Sequence, residues 1–315
     1  MALLALALLA WPAGAGVAAG KSPTGGRMAL DPALIQRLTG ATGAMDEKAH
    51  VFKVSIPRRD ITVTVAGARM TPALGLTSWA AFQAAGTHAM VMGDLVLLED
   101  QVNPVMSVAL ENGLEVTALH NHFFWETPRV FFMHIGGMGT QEALAGAVGK
   151  VFGKMKEPGD AAADTAASGI DPAQTSLDPA RIEAVLHEPG TLANGVYKVV
   201  VGRSTKEHGV SSGAAMGVNT WAAFAGSNER ALVDGDFAVA EGELQDVLRT
   251  LRGAGINIVA IHMHMTGETP RILFLHYWGV GPTEALARGL RAALDRTHAE
   301  GATTPTAHRA RPPRR

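Results

Sequence analysis

The 315-residue chain has no cysteine, and this absence excludes several kinds of chemistry. Thiolate catalysis, disulfide bonds, cysteine-based zinc sites and lipidation of an N-terminal cysteine all require a thiol. Aromatic residues make up only 5% of the chain, which argues against a stacking platform for single-stranded nucleic acid. The formal net charge is −2, so the molecule as a whole does not attract nucleic acid or an anionic membrane. We therefore expect no nucleic-acid partner.

The chain also has no long hydrophobic run. The apolar run within residues 1–19 has about ten residues, whereas a membrane-spanning helix needs roughly 20. Small residues follow this run, and Val17-Ala18-Ala19 fits a signal-peptidase site. We therefore predict a signal peptide over residues 1–19, although no Lys or Arg precedes the run; the alternative is a disordered, alanine-rich leader. The expected protein is exported, periplasmic or extracellular, with no lipid anchor and no transmembrane span.

What the chain does contain is an internal repeat. Residues 118–142 read ALHNHFFWETPRVFFMHIGGMGTQE, and residues 260–284 read AIHMHMTGETPRILFLHYWGVGPTE. The sequence Leu-Asp-Pro-Ala begins at Leu30 and again at Leu177, and it marks the start of each unit. We predict repeat 1 over residues 30–155, a linker over 156–176, repeat 2 over 177–297 and a disordered basic tail over 298–315.

The order of the predicted elements is the same in both repeats. Alternating β-rich runs predict strands, and apolar residues at three- and four-residue spacing predict helices, so that each core reads β-α-β-β-α. The predicted fold class is α+β: two tandem homologous repeats, each a mostly antiparallel sheet with helices packed mainly on one face. The Trp-Ala-Ala-Phe sequences at Trp79 and Trp221 are predicted to form short capped helices, with the tryptophans in the core.

Each repeated segment has the pattern H-x-H, three residues, E-T-P-R and a third histidine. Residues two apart on a strand face the same side of the sheet, so the two histidines of H-x-H point together. If the return strand pairs in a register centred on Thr127, and on Thr269 in the second copy, the third histidine lies directly opposite the first. The sequence thus predicts three imidazoles on one sheet face in each repeat. They are His120, His122 and His134 in repeat 1, and His262, His264 and His276 in repeat 2.

Three imidazoles beside a carboxylate can bind Zn²⁺, Fe²⁺, Mn²⁺ or Cu²⁺, and the sequence leaves the identity of the metal open. Glu126 and Glu268, at the ends of the hairpins, are the candidate catalytic carboxylates. The histidines can instead be structural residues that are buried and hydrogen-bonded. Six of the twelve histidines in the chain fall in these two trios, which favours a site.

Two further pairs of polar residues recur near the histidines. Arg129 and Arg271 can bind a carboxylate or phosphate ligand through two parallel hydrogen bonds. They can also form a local ion pair that fixes the turn, and we favour this structural role. Asp94 and Asp236 recur as well, and they can either supply carboxylates or only shape turns.

These blocks, together with the two Trp-Ala-Ala-Phe segments, resemble the LppY/LpqO family of exported bacterial proteins, which are built from a domain of unknown function. The resemblance covers about residues 30–155 and 177–297. It implies export and a tandem repeat. Family members are often lipoproteins, so the missing cysteine implies release rather than lipid anchoring. The resemblance implies no activity and no catalytic residue.

The leading hypothesis is an exported protein that binds a divalent metal or a small ligand through the duplicated hairpins. The first alternative is a metal-dependent hydrolase or oxidoreductase that uses the same cluster, with Glu126 or Glu268 as general base. The second is a non-enzymatic envelope interaction module in which the histidines are structural. The sequence does not fix the oligomeric state.

Overall fold

The structure, a computed structural model, describes residues 28–159 and 168–297. The predicted signal peptide and the predicted basic tail lie outside the described residues. The α-helices of the described part are α1 (Pro32–Thr39), α2 (Val102–Glu111), α3 (Gln141–Lys154), α4 (Pro179–Leu186), α5 (Leu244–Gly253) and α6 (Thr283–Leu294). Its strands in the first half are β1 (Gly43–Asp46), β2 (Val51–Pro57), β3 (Thr64–Val65), β4 (Ala68–Arg69), β5 (Thr77–Ala85), β6 (His88–Leu98), β7 (Glu115–His120), β8 (Glu126–Thr127) and β9 (Val130–Gly139). Those in the second half are β10 (Gly190–Ala193), β11 (Val196–Gly202), β12 (Thr205–Glu207), β13 (Val210–Ser212), β14 (Asn219–Gly226), β15 (Ala231–Ala240), β16 (Asn257–His262) and β17 (Ile272–Gly281).

The first helix of each half begins at the repeated Leu-Asp-Pro-Ala sequence. The Asp31 carboxylate accepts a hydrogen bond of 3.0 Å from the Leu34 N–H, and the Asp178 carboxylate accepts one of 3.1 Å from the Ala180 N–H. The proline after each aspartate lies in the first turn, where no backbone N–H partner is lost. The two predicted N-terminal helices are therefore confirmed.

Twelve strands form one continuous antiparallel sheet, in the order β1-β2-β5-β6-β9-β7-β16-β17-β15-β14-β11-β10. The second six strands repeat the first six in reverse order, so the two halves are related by a pseudo-twofold axis at the centre of the sheet. The halves meet where β7 pairs with β16, with Leu119 opposite Ile261. The predicted α+β class, with two halves of the same element order, is confirmed.

The helices of both halves pack on one face of this sheet and share one hydrophobic core. Alternate residues of the strands, such as Val91 and Leu95 on β6 and Val233 and Phe237 on β15, are fully buried against them. Burying this apolar surface is the main stabilising term of the fold. The opposite face, which we call the open face, carries two smaller apolar clusters and the polar residues of the histidine segments. Within the described residues, no helix is long and apolar enough to cross a membrane.

The prediction of helices at the two Trp-Ala-Ala-Phe sequences was wrong, because both lie on strands. Thr77–Ala85 forms β5, and burial alternates along it, with Ser78, Ala80 and Phe82 facing the core. Alanine favours helix locally, but pairing with two neighbouring strands overrides that preference. Trp79 and Trp221 are consequently half-buried on the open face, where the ammonium groups of Lys53 and Lys198 lie 4.0 and 4.2 Å from the ring centroids.

Two amide side chains join the halves, because each forms hydrogen bonds with the backbone of the other half. Each of the central strands has a bulge, just after Val116 in β7 and just after Ile258 in β16. The Asn103 side chain donates to the Ile258 carbonyl at 3.1 Å and accepts from the Ile258 N–H at 2.8 Å. The Gln245 side chain makes the equivalent pair with Val116, at 2.9 and 3.0 Å. Backbone groups at each bulge are thus satisfied by the other half, as buried peptide groups require.

Candidate metal centre

The histidine segments lie at the centre of the open face. His120 is the last residue of β7, and His134 lies on the neighbouring strand β9 with Asp94 of β6 directly opposite it. The second half has the same arrangement, in which Asp236 of β15 lies opposite His276 of β17. Because Asp94 and Asp236 face the same side as the histidines, each half brings three imidazoles and one aspartate together.

The predicted register was wrong by two residues, although the predicted face is right. His134 pairs with Ala118, and His120 pairs with Phe132, so the register centres on Glu126 rather than Thr127. The shift arises because the connection is not a tight hairpin: Glu126 and Thr127 pair with β3 instead. The second copy shows the same shift, since His276 pairs with Ala260. A shift of two residues preserves the face, so the imidazoles remain diagonal neighbours.

The second cluster, which we define as Asp236, His262, His264 and His276, has its donor atoms close together. His264 Nε2 lies 3.1 Å from His262 Nε2 and 3.6 Å from Asp236 Oδ2. His276 Nδ1 lies 4.0 Å from Asp236 Oδ1. Two nitrogens that bind one tetrahedral zinc ion at about 2.0–2.1 Å are roughly 3.3 Å apart. The Nε2–Nε2 separation therefore suits a shared metal ion.

A phenylalanine holds His264 in this position. His264 lies two residues beyond the end of β16, and its ring lies flat on Phe274, with 3.4 Å between the ring centroids and 9° between the planes. Phe274 is fully buried in one of the small apolar clusters of the open face. The stacked ring presents its Nε2 atom to Asp236 and His262, so a buried aromatic residue sets the direction of a candidate metal ligand.

The electrostatics of the second cluster favour a cation. Burial, opposed by His276 and aided by the neighbouring Asp234 carboxylate, raises the pKa of Asp236 to about 6. Burial and the neighbouring imidazoles lower the pKa values of His262 and His264, which keeps both rings neutral and able to coordinate. Asp236 Oδ1 and His262 Nδ1 are buried without a hydrogen-bond partner. A bound cation would compensate the carboxylate oxygen that has no hydrogen-bond partner, as buried charges normally require.

The first cluster, which we define as Asp94, His120, His122 and His134, has the same residues in a different arrangement. The His120 and His122 rings stack at 15° with 5.2 Å between their centroids, and His120 Nδ1 lies 3.4 Å from the Asn121 carbonyl oxygen. His122 stacks on Phe132 as His264 does on Phe274. Burial raises the pKa of Asp94 and lowers that of His122. Within the described residues, Asp236, His262 and His264 are the one acidic or histidine group whose ligand atoms all lie within 4.8 Å of one another.

The two clusters lie side by side on one face of the sheet. His134 lies on β9 and His276 on β17, which are three strands apart in the sheet. At 4.7–4.9 Å per strand, this separation is about 14 Å. The inner members of the clusters are closer, because His120 and His262 end the adjacent strands β7 and β16, which pair with each other.

Within the described residues, the group of convergent donor atoms includes neither Glu126 nor Glu268. Glu268 is buried, and its Oε1 accepts a hydrogen bond of 3.1 Å from the Ile272 N–H, while its Oε2 is buried without a partner. Glu126 is half-buried on β8. Arg129 and Arg271 are exposed, and neither forms an ion pair within the part of the chain that the structure describes. The hydrogen bond of Glu268 fixes the start of β17, which is a structural role.

Asp94 and Asp236 were only weak candidates on the sequence, yet they complete the two clusters. The available signal was their recurrence at the same place in both repeats, after a glycine on an alternating strand. Their position opposite His134 and His276 depends on the pairing of β6 with β9 and of β15 with β17, which local sequence does not reveal.

A family model described as Domain of Unknown Function (DUF1259) matches residues 33–154 and again 180–296. These two segments cover most of the chain, so the protein belongs to this family and carries its domain as a tandem duplicate. No curated protein and no solved structure matches the chain.

Proposed function

We propose that this member of the DUF1259 family is an exported protein that binds one divalent transition-metal ion at the second cluster. Asp236, His262 and His264 would be the ligands, with His276 beside them as a fourth. The observation that supports this proposal is the convergence of two imidazoles on a buried carboxylate, one oxygen of which has no hydrogen-bond partner. A buried carboxylate without a partner is costly, and a metal ion of opposite charge relieves that cost.

The donor set narrows the choice of metal. Two histidines and one carboxylate bind catalytic zinc in some hydrolases, and they bind Fe²⁺ in non-haem iron enzymes. We therefore place Zn²⁺ and Fe²⁺ ahead of Mn²⁺ and Cu²⁺. The side chains of His264 and His276 are half exposed, so the metal would keep positions open to water or a small ligand.

We expect the first cluster to bind metal more weakly than the second cluster. Its residues are the same, but among the described residues the donor atoms that lie within 4.8 Å of one another are those of Asp236, His262 and His264, in the second cluster. Binding there would require the His120 and His122 rings to rotate. Such rotation has a side-chain entropy and packing cost that the second cluster does not have.

The alternative of a metal-dependent hydrolase or oxidoreductase rests on the solvent-facing side of the second cluster. Glu126 and Glu268 remain candidate bases from the sequence, but the bond from the Ile272 N–H engages Glu268. Asp234 is a better candidate base, because it is exposed and interacts electrostatically with His276. An enzyme of this kind would show metal-dependent turnover that Asp234→Asn reduces while metal affinity is retained.

Metal analysis of protein purified without a histidine tag tests the proposal. We expect about one Zn²⁺ or Fe²⁺ per chain, and a rise in melting temperature on adding Zn²⁺, since a ligand of the folded state stabilises it. A His262→Gln/His264→Gln variant should fold and lose both effects, whereas His120→Gln/His122→Gln is the matched control and should keep them. No bound metal and no thermal shift would leave the envelope-module alternative, with structural histidines.

Export is proposed from the leader sequence and from the resemblance to the LppY/LpqO family. Fractionation of bacteria that express the full chain tests it. We expect the mature protein in the periplasm or the medium, and N-terminal sequencing should begin near Gly20. Retention of the complete leader in the cytoplasm would contradict export.

A further inference from the structure

An aromatic pair projects from one corner of the first half. Phe124 and Trp125 follow the H-x-H segment and are 77% and 82% exposed, with 5.8 Å between their ring centroids. The equivalent residues of the second half are Thr266 and Gly267. The two halves thus share the metal-binding pattern but differ in the chemistry of this loop. Exposed pairs of large aromatic side chains are unusual unless they contact something.

The backbone at Trp125 supports a functional reason for the pair. Trp125 has φ of +60°, a left-handed conformation that is unfavourable for a bulky residue, and Gly267 adopts φ of +84° at the same place. The second half therefore uses the residue that suits this conformation, and the first half uses one that does not. Strained residues that persist are concentrated at binding and switch sites.

Hydrogen bonds and apolar packing hold the loop that carries this pair. A small three-stranded sheet, β4-β3-β8, holds the loop, and the Ala66 N–H donates to the Trp125 carbonyl at 3.2 Å. Phe123, the residue before the pair, packs into the small apolar cluster below it. Leu74, on a neighbouring turn, is 57% exposed. Phe124 and Trp125 are therefore presented outward on a fixed frame.

The charge around the pair is basic. Arg59, Arg69 and Arg129 lie on the same small sheet and its flanking turns, all three are exposed, and none forms an ion pair within the described residues. Of the carboxylates in these loops, Asp60 is bonded to Arg58, and Glu126 is half-buried. The net charge of the whole chain is near zero, but a local basic patch acts within a Debye length, roughly 8–10 Å in physiological salt.

We propose that this corner, defined by Leu74, Phe124, Trp125 and the three arginines, docks on an anionic phospholipid surface. Tryptophan and phenylalanine favour the zone between headgroups and acyl chains, where one side of the ring is apolar and the other is wet. The arginines bind headgroup phosphates with charge-assisted hydrogen bonds. The pair projects from the surface instead of lining a cleft, which suits a bilayer better than a small ring-shaped ligand.

Docking at this corner would leave the metal site accessible. The aromatic pair belongs to the loop after β7 in the first half, whereas the second cluster lies on β15, β16 and β17 and the residues just after β16, all in the second half. Membrane attachment and metal binding are therefore independent properties, and each can fail without the other. The proposed role of the corner is to hold the protein at a membrane while the open face of the second half meets solvent.

Sedimentation with vesicles tests the proposal on the full mature chain. The probes are vesicles of phosphatidylcholine with phosphatidylglycerol in a two-to-one ratio, and vesicles of phosphatidylcholine alone. The key variant is Phe124→Thr/Trp125→Gly, which installs the residues of the second half and suits the positive φ, so it should fold. We expect the native chain to bind the anionic vesicles, and the variant to bind at least about tenfold more weakly.

Three further measurements test the membrane-docking proposal. Arg69→Gln/Arg129→Gln should weaken binding to the anionic vesicles and leave the weak binding to phosphatidylcholine alone unchanged. Brominated lipids should quench native tryptophan fluorescence but not that of the Phe124→Thr/Trp125→Gly variant. Zinc affinity should be equal in all of these proteins. The proposal is overturned if the native chain stays in the supernatant with anionic vesicles, or if the aromatic variant sediments equally well.

Discussion

The two histidine clusters contain the same residue types in the same order, yet only the second brings its donor atoms together. In the second, a nitrogen of His264 approaches both His262 and Asp236; in the first, the His120 and His122 rings are nearly parallel, with 5.2 Å between their centroids. The surroundings differ more than the clusters do. Asp234 stands where the first half has Met92, and Thr266-Gly267 where it has Phe124-Trp125. The convergence of donor atoms thus depends on ring orientation as well as on residue identity.

The largest expected difference between the clusters is in metal affinity. Asp236→Asn should weaken Zn²⁺ binding by about 100-fold or more, because it removes a direct ligand and its charge. Asp94→Asn is the matched change in the first half, and it should weaken Zn²⁺ binding by less than about threefold. Titration calorimetry on untagged protein measures both. Equal losses in the two variants would show that the clusters act as one site or are equally competent.

The next largest effect concerns the contacts of Asn103 and Gln245, which join the two halves and which we call the joint. Asn103→Ala or Gln245→Ala leaves a buried N–H and a buried carbonyl unpaired at a central bulge, which should lower the free energy of unfolding by about 1–3 kcal/mol. Because the two amides make equivalent bonds, the two losses should be similar. Urea denaturation measures them. A loss confined to one variant would show that the halves do not contribute equally to the joint.

Removing the Asp236 charge should stabilise the metal-free protein. Its pKa is raised to about 6, so ionisation above that pH disfavours the folded state. At pH 7.5, metal-free Asp236→Asn should therefore be more stable than the native protein by about 1–2 kcal/mol. The gain should shrink as the pH falls through 6 and vanish below about 4, where Asp236 is protonated in both states.

Titration of the histidines does not account for the expected difference in stability between native protein and Asp236→Asn. The lowered pKa values of His262 and His264 reduce stability as the pH falls below the unfolded value of 6.5, but both residues are present in both proteins. Chemical denaturation in the presence of a chelator, at several pH values, provides the measurement. A variant that is less stable than the native protein at pH 7.5 would contradict the idea that the carboxylate is held at a cost for metal binding.

The smallest effect concerns the loop that differs between the halves. Trp125→Gly should raise the free energy of unfolding by about 1 kcal/mol, because glycine suits the left-handed backbone. Trp125→Ala removes the same ring but keeps a Cβ at φ of +60°, so it should give little or none of this gain. Urea denaturation of both variants separates the backbone effect from the loss of the ring. A larger gain in the free energy of unfolding from Trp125→Ala than from Trp125→Gly would contradict the backbone explanation.

The sequence was sufficient for the repeat, the α+β class and the face on which the histidines lie, since each follows from periodicity. It was not sufficient for the register, because Glu126 and Thr127 pair with β3, a strand some 60 residues earlier. It also failed at Trp79, where sheet pairing outweighs a helix-favouring alanine pair. Asp236 was visible in the sequence as a repeated residue, but its place opposite His276 depends on contacts distant in the chain.

The reciprocal amides of Asn103 and Gln245 have a consequence for how the halves can change. In two separate chains, the same contacts would form a symmetric dimer whose assembly depends on concentration, and every substitution would appear at both copies. In one chain, the partner is always present at a high effective concentration. The joint can then remain symmetric while the outer residues diverge freely. One half can keep a compact set of candidate metal ligands, and the other can acquire exposed aromatic residues, without either change weakening assembly.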